Sequence, residues 1–220
     1  MKVSVAGATP AVKRRYDSSR RRARAQENHD RVLDCAQRLF FRNGYAATTI
    51  TAVAAEAGVS VEAIYKRFVG KPGLVRGIYE QGLAGQGPVP AQERSYAMSA
   101  RCLDARSVLY NWTRLSKDVA PSVSPVMLLA RTAAATDVEA QTLLDDMNTQ
   151  RVVRMEHNAR RLRRRPGLRP QLSTAHIRDV LFTYTAPELY ETLVLHRGWS
   201  LDGYADFMFH GMTGQLLDTH

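Results

Sequence analysis

The segment 48–68 constrains the fold of this chain more than any other part of its sequence. Thr49 can N-cap a first short helix, because its hydroxyl can accept a backbone N–H that the helix leaves unpaired. Gly58 suits the left-handed residue that ends such a helix, and Ser60 can cap the next one. Between them, apolar residues repeat at i, i+3, i+4 and i+7, which predicts one buried face; they are Ile50, Val53, Ala54 and Ala57. The segment therefore predicts two short helices joined by a glycine turn.

The second of these helices presents a polar and aromatic surface. Ile64 and Phe68 lie four residues apart and share its inward face. The side chains left facing outward are Val61, Glu62, Tyr65, Lys66 and Arg67. Two helices joined by a short turn, the second with such an exposed face, are the layout of a helix-turn-helix motif. We therefore predict that the second helix lies in the major groove of double-stranded DNA.

A family resemblance is specific at these residues. The helix before them carries one apolar stripe and stops at Asn43-Gly44. In one unbroken register from about Glu27 to Glu80, the chain resembles the N-terminal signature of the TetR family of transcriptional regulators. The matching residues are Gly44-Tyr45, Thr48-Thr49-Ile50, Ala57-Gly58-Val59-Ser60, Ile64-Tyr65, Phe68 and Lys71.

The resemblance implies an all-α fold, with an N-terminal three-helix helix-turn-helix head joined to a larger helical effector-binding and dimerisation domain. We expect the DNA-binding head over residues 27–86 and the second domain over residues 87–220. The border falls in Leu83–Ser95, which holds two Gly and two Pro and is typical of a linker. Beyond it the pattern is helical, without strand alternation, and Pro121 and Pro125 are expected to bracket the start of one helix.

The resemblance also places the exposed residues of the second helix, Val61 and Glu62 among them, against DNA. Tyr65 matches a tyrosine that typically hydrogen-bonds a phosphate. Lys71 matches a basic residue that clamps a phosphate together with the N-terminus of the fourth helix. By their own chemistry, Arg67 or Lys66 could reach O6 and N7 of guanine.

Three polar residues of the motif have two readings each. Glu62 either accepts from cytosine N4 or stabilises the first turn of its own helix. Thr49 and Thr51 lie where the first helix crosses the DNA backbone and could each donate to a phosphate, but an N-cap and a surface threonine explain them as well. A single head makes few base contacts. We therefore expect a homodimer on a near-palindromic operator, with half-sites about 34–36 Å apart or further.

Residues 1–26 form a basic arm. Eight Lys or Arg residues against Asp17 alone give this arm +7 of the chain's net charge of +10. Such a block of like charges is expected to be disordered in isolation and to bind the phosphate backbone or enter the minor groove. A solvated tail is the alternative. The candidate DNA contacts are Arg20, Arg21, Arg22 and Arg24.

The resemblance implies an effector site in the middle of the second domain, between Leu103 and Arg165. Candidates there and in the following helix combine an apolar body with a polar tip. They are Trp112, Met127, Arg131, Met155, Asn158 and Tyr184. Packing in an ordinary hydrophobic core is the alternative for each of them.

The resemblance further implies that the last two long helices, Ser173 to Arg197 and Ser200 to Leu217, form a four-helix bundle across the dimer axis. Pro187 removes a backbone donor and should kink the first of them. The candidate interface residues are Ile177, Leu181, Leu189, Leu193, Tyr204, Phe207, Met208 and Met212. Some of these are expected to serve the intramolecular core instead.

The apolar runs and the cysteines of the chain limit the cell compartment and the cofactors that can be expected. No apolar run approaches the ~18 residues that span a bilayer, and the N-terminus lacks the apolar segment of a signal peptide. We therefore expect a protein of the bacterial cytosol, associated with the nucleoid when bound to its operator, without a membrane partner. Cys35 and Cys102 are too few and too far apart for a zinc site or a disulfide scaffold. No metal or organic cofactor is implied.

Together these features predict a ligand-responsive transcriptional regulator, expected to be a repressor that an unknown small-molecule effector releases from DNA. Two other classes are open: an effector-independent protein that organises DNA through its basic arm, and a helical enzyme. The enzyme has the least support, because the sequence lacks a GxSxG elbow, a P-loop, an HExxH motif and a dinucleotide glycine motif.

Overall fold

The computed structural model describes residues 11–85 and 89–218. These residues form helices and turns, and they contain no β-strand beyond an isolated bridge between Leu168 and Leu217. The expected all-α fold is therefore confirmed. The helices are α1 (Ala11–Ala47), α2 (Ile50–Ala57), α3 (Val61–Phe68), α4 (Lys71–Ala84), α5 (Ala91–Arg101), α6 (Ala105–Ala134), α7 (Val138–Leu162), α8 (Thr174–Tyr184), α9 (Pro187–Tyr190), which continues into a π-helical turn (Glu191–His196), and α10 (Leu201–Leu216).

The helix-turn-helix is built by the caps that the sequence predicts. The Thr49 hydroxyl accepts from the Ala52 backbone N–H at 3.1 Å and starts α2. Gly58 ends α2 at φ 65° and ψ 38°, in the left-handed region that costs glycine nothing. The Ser60 hydroxyl then accepts from the Ala63 N–H at 3.2 Å and starts α3. The two helices are thereby fixed by local hydrogen bonds before tertiary packing is considered.

The basic arm, expected to be disordered in isolation, is helical in the chain from Ala11 onward. α1 runs through residue 26 without a break, so the expected border at 26/27 is not a structural boundary. Arginine and alanine dominate residues 11–26, and both are strong helix formers that can extend a helix already nucleated by the head. Residues 1–10 of the arm lie outside the described residues.

A single helix, α6, replaces the two that were expected around Pro121 and Pro125. Each proline lacks the N–H that would bond the preceding turn, which costs a helix interior about 3 kcal/mol. The expectation of a break was wrong because α6 packs along its whole length. It buries Leu109 near one end and Val126 and Met127 near the other.

The chain after α7 follows its sequence signals more closely. The Ser173 hydroxyl caps α8 and the Ser200 hydroxyl caps α10. Pro187 does not kink a continuous helix. α8 ends at Tyr184, and Pro187 occupies the first turn of α9, where its missing N–H costs nothing.

Two hydrophobic clusters fill the interior. The boundary between them does not coincide with the expected linker at Leu83–Ser95, because the first cluster includes residues from both sides of it. The first joins the buried faces of α1–α4 to Met127 of α6 and Met147 of α7. The second lies among the start of α6, the end of α7, α8, α9 and α10, with Leu109 and Met208 fully buried. The DNA-binding head therefore rests on the second domain through a shared core.

Candidate nucleic-acid interface and ligand cavity

The outward face of α3 is the candidate DNA interface. Ile64 and Phe68 hold the helix to the head, with exposed fractions of 1% and 7%. Their burial turns Tyr65 to solvent, where 52% of the residue is exposed. The other residues predicted to meet DNA on this helix are half-buried Val61 and exposed Glu62, Lys66 and Arg67. The structure thus leaves Glu62, Tyr65, Lys66 and Arg67 accessible, whereas Val61 packs partly against the core of the head. Contact of these residues with DNA stays a prediction.

Arg67 is held across the head by a histidine that sequence reasoning did not single out. Its Nε donates to Nδ1 of His29 on α1 at 2.6 Å, and the His29 ring stacks on Phe68 with ring centroids 5.1 Å apart. Burial and the neighbouring Arg67 guanidinium lower the pKa of His29, against the opposing pull of Asp30 and Glu80. The imidazole is therefore a neutral acceptor that fixes the direction of Arg67.

Lys71 lies in the first turn of α4, as expected. Its Nζ donates to the carbonyl oxygens of Tyr45 at 3.0 Å and Ala46 at 3.5 Å, and it lies 4.4 Å from the centroid of the Tyr45 ring. The ammonium group thus ties the end of α1 to the start of α4. It also adds positive charge beside the unpaired N–H groups of a helix N-terminus, a combination that suits a phosphate.

Thr49, Thr51 and Glu62 each have a local role and a DNA contact as alternatives. Thr49 is exposed and is occupied as the α2 N-cap, and Thr51 is exposed on the first turn of α2. Glu62 is exposed in the first turn of α3, where a carboxylate favours the helix dipole. The local roles of Thr49 and Glu62 are therefore fulfilled in the structure, and their DNA contacts stay predictions.

Two arginines of α1 hold α2 in place, and no local sequence pattern indicates either contact. Arg31 Nε donates to the Ala57 carbonyl oxygen at 2.9 Å, at the end of α2. Arg38 forms an ion pair with Glu56 at 3.0 Å. Both contacts join residues about twenty positions apart, so only the tertiary structure brings them together.

The arm arginines lie on α1 before His29, the residue of this helix that contacts α3. Arg20, Arg21, Arg22 and Arg24 are all exposed on α1. Arg24 precedes His29 by five residues, which is about 7.5 Å at 1.5 Å per residue. Because His29 contacts Arg67, the arm extends the positive surface that begins at α3.

A second candidate site is a cavity of about 180 Å³ lined by α4, α5, α6, α7 and the C-terminal helices. Its walls are mostly apolar, and they carry a few hydroxyl and amide groups. Four of the six predicted effector-site residues line it: Trp112, Met127, Met155 and Asn158. Their binding of an effector stays a prediction.

Two arginines of α7 reach this cavity, and neither was predicted. Arg151 is 8% exposed; its guanidinium donates to Asn148 Oδ1 at 3.1 Å and to the carbonyl oxygens of Phe182 and Thr185 at 3.2 and 3.3 Å. Arg154 donates to the Tyr79 hydroxyl at 3.3 Å. The sequence signal for both is the basic run 151–165, which favours a solvated helix face, with an acidic effector or an extra DNA contact as the alternative.

The other two predicted effector-site residues are elsewhere. Arg131 is exposed on α6 and forms ion pairs with Glu188 and Glu191, each at 2.9 Å. Tyr184 packs against Gly211 and the Phe207 ring, away from the cavity walls. Neither residue lines the cavity in the structure, and an effector contact of either stays a prediction.

Most of the predicted dimer residues lie in the intramolecular core, the alternative role expected for some of them. Side chains already enclosed by their own chain have no surface to offer a second copy. Five of the eight are at most 2% exposed: Ile177, Leu181, Tyr204, Met208 and Met212. Leu189 and Leu193 are half-buried, and Phe207 is 37% exposed.

An apolar surface does remain on the C-terminal helices, and we call it the aromatic patch. Trp199 is 41% exposed and meets the Phe207 ring edge-on at 5.9 Å between centroids. Tyr184 packs on the other side of Phe207 at 6.1 Å. Leu195, 52% exposed, extends the patch toward the π-helical turn.

Comparison with known proteins agrees with this architecture. Residues 32–78 match the family model of bacterial regulatory proteins of the tetR family. A curated relative, an uncharacterised HTH-type transcriptional regulator YvkB of Bacillus subtilis (strain 168), is 37% identical over 62 residues. That match spans 28% of this chain and 33% of the relative.

Solved structures extend the likeness to the whole fold. NalD of Pseudomonas aeruginosa, the secondary repressor of the MexAB-OprM multidrug efflux pump, superposes with a TM-score of 0.68 and 17% identity, covering 89% of this chain and 99% of that one. The SmeT–triclosan complex gives 0.66 and 18%, covering 88% and 93%. At such identities the likeness establishes the fold alone.

Within residues 11–85 and 89–218, no helix is long and apolar enough to cross a membrane.

Proposed function

Because the chain carries the DNA-binding domain of the TetR family of bacterial regulatory proteins, we propose that it is a transcriptional regulator that binds an operator as a homodimer and responds to a small molecule. The observation that supports this most is the outward face of α3. It presents Tyr65 and Lys66 to solvent next to Lys71 and the arm arginines. A positive surface around one exposed helix suits a major groove flanked by phosphates.

Within this proposal the contacts divide by type. Lys66 is exposed and forms no ion pair within the described ranges, so it is free to reach a base edge. Tyr65, Lys71 and Arg24 are positioned for phosphates, which fix register and contribute affinity without reading sequence. Arg67 reaches the groove in the direction that His29 gives it.

The proposed homodimer forms through the aromatic patch. Trp199, Phe207 and Leu195 offer apolar area that the chain leaves uncovered, whereas the enclosed residues of α8 and α10 do not. A two-fold interface places the same patch of both copies face to face and sets the spacing of the two α3 helices.

The proposed response travels through α4, because this helix belongs to both sites. Leu74 and Val75 are fully buried in the head, while Tyr79 and Leu83 line the cavity. A ligand that displaces Tyr79 must shift α4 and therefore α3. A coupling of about 1–3 kcal/mol would change operator affinity roughly 5- to 150-fold, and the operator would weaken ligand binding by the same factor.

Selection of bound fragments from source-genome DNA by the full-length protein, followed by footprinting, tests the proposal. We expect enrichment of a few sites that share an inverted repeat. Lys66→Ala should weaken binding to the selected site and relax its sequence preference, because Lys66 faces the groove. Arg163→Ala, an exposed arginine of equal charge after α7, should leave both unchanged. Broad binding without enrichment would contradict operator recognition and favour a DNA-organising role for the arm.

A further inference from the structure

The cavity of the second domain is electrically one-sided. Among the described residues, its lining includes Arg151 and Arg154 and no aspartate or glutamate. Neither arginine forms an ion pair with a carboxylate in the part of the chain that the structure describes. A buried cation without a counter-charge is costly, because burial removes the water that would otherwise stabilise it.

The tyrosines at the cavity do not supply the missing charge. Burial raises the pKa of Tyr79, and burial with the neighbouring Tyr190 raises the pKa of Tyr204 to about 12. Both phenols are therefore neutral near pH 7. Burial also lowers the pKa of Arg151, which reflects the same unfavourable environment for its charge.

The two arginines differ in the number of hydrogen bonds that they donate within the protein. Arg151 donates to three oxygen atoms, two of them backbone carbonyls near the end of α8, so it holds α7 to α8. Arg154 makes one hydrogen bond within the described residues, to Tyr79, although a guanidinium has five N–H donors. Arg154 is therefore available to a ligand, with Arg151 adding positive potential one turn away.

The remaining lining residues and the cavity volume indicate the polarity and size of the rest of the ligand. Trp112, Met127 and Met155 give the cavity an apolar interior. One water occupies about 10–15 Å³ of such a volume. A cavity of about 180 Å³ therefore holds on the order of a dozen water-sized atoms.

We propose that this cavity binds an apolar organic anion of about this size, with its carboxylate on Arg154 and its hydrocarbon body against Trp112 and Met127. This inference deepens the proposed function by naming the chemical class of the effector, and it rests on that function. Because Arg154 also donates to the Tyr79 hydroxyl of α4, a carboxylate on the same guanidinium lies next to the helix that carries the proposed response.

Calorimetric titration of the full-length protein with three ten-carbon probes tests the proposal. Decanoate, 1-decanol and decyltrimethylammonium share the chain and differ in the charge of the head group. We expect decanoate to bind at least about tenfold more tightly than decanol, as a hydrogen bond to a charged group warrants, and the cation to bind most weakly. Equal affinity for all three, or no binding of decanoate, would overturn the proposal.

Variants separate the head-group contact from the rest. Arg154→Gln should cost decanoate about tenfold or more in affinity and leave decanol unchanged, and Arg154→Lys should retain part of the preference. Arg160→Gln removes an exposed arginine of the same helix, outside the cavity, and should change neither affinity. Unchanged decanoate affinity in Arg154→Gln would place the anion elsewhere and refute the assignment.

The affinity for the operator distinguishes the proposed ligand class from the proposed ligand response. Decanoate that binds through Arg154 and weakens binding to the selected operator supports both the ligand class and the ligand response. Decanoate that binds through Arg154 but leaves operator affinity unchanged supports the ligand class and refutes the proposed response.

Discussion

The protonation state of His29 affects the geometry of α3, the helix proposed to face DNA. Its neutral Nδ1 accepts from Arg67, and its ring covers Phe68. Protonation would remove the acceptor and place a second positive charge beside the guanidinium. The direction of Arg67 therefore depends on a group whose ordinary pKa of 6.5 lies near physiological pH.

The pKa of His29 is lowered in the folded chain, so the unfolded chain takes up this proton at higher pH. The stabilisation is therefore complete above pH 6.5 and is lost as the pH falls through 6.5 toward the lower folded value. We expect the free energy of unfolding, measured in urea at pH 7.5 and 5.5, to fall more in the wild type than in His29→Gln. His176→Gln, at an exposed histidine of α8, is the matched control and should keep the wild-type difference. An equal fall in His29→Gln would show that the pH dependence arises elsewhere.

At the scale of elements, the junction between α3 and α4 is the most tightly built part of the head. Val69 ends α3 at φ 60°, an uncommon conformation for a β-branched residue, and Gly70 follows at φ 126°. Gly73 then lies so close to the turn that a Cβ on it would overlap the carbonyl group of Phe68. Two glycines thus set the angle at which α4 leaves the recognition helix.

Gly73→Ala should therefore damage DNA binding more than it damages the second domain. The clash is with backbone, which cannot turn aside like a side chain, so we expect a loss of about 1–3 kcal/mol in the free energy of unfolding and a shift of α3. Operator affinity by fluorescence anisotropy and decanoate affinity by calorimetry measure the two parts separately. Gly214→Ala is the control, because a Cβ there meets nothing within 4 Å. Operator binding by Gly73→Ala at wild-type strength would contradict this account of the junction.

At the scale of the whole molecule, the first hydrophobic cluster decides how the parts communicate. It runs from α1–α4 into the distal half of α6 and the start of α7. Gly82 of α4 packs so closely on α6 that a Cβ would lie 3.2 Å from Val123. The ion pair between Arg76 of α4 and Asp146 of α7, at 2.8 Å, adds a polar contact at the same interface. These contacts support the proposal that a movement of α4 at the cavity reaches the head.

The aromatic patch carries the prediction for assembly. Phe207→Arg places a charge in the centre of the proposed two-fold interface, where the two copies would set like charges face to face. We expect the variant to sediment as a monomer at concentrations where the wild type is a dimer, and to lose affinity for the full operator. Tyr110→Arg, at an aromatic residue that is 49% exposed on α6, should remain a dimer. A dimer of unchanged stability in Phe207→Arg would place the interface on another surface.

The sequence predicted the head well because its signals are local. Thr49, Gly58 and Ser60 form caps and a turn with neighbours three or four residues away, so the helix-turn-helix and the exposed face of α3 follow from spacing alone. The family resemblance rests on the same residues. The continuous α6 was missed because Pro121 and Pro125 break the local rule, and their cost is met by packing at distant positions.

By itself, then, the sequence determined the fold class, the head and the character of the DNA-facing surface. The tertiary structure alone decided which apolar and charged side chains of the second domain are enclosed. Tyr204 and Phe207 look alike at helical spacing, yet one is 2% exposed and the other 37%. Arg151 and Arg160 lie in one basic run, yet only Arg151 lines the cavity. The physical reason is that burial depends on contacts between helices far apart in the chain, and a pattern along one helix does not contain its partners.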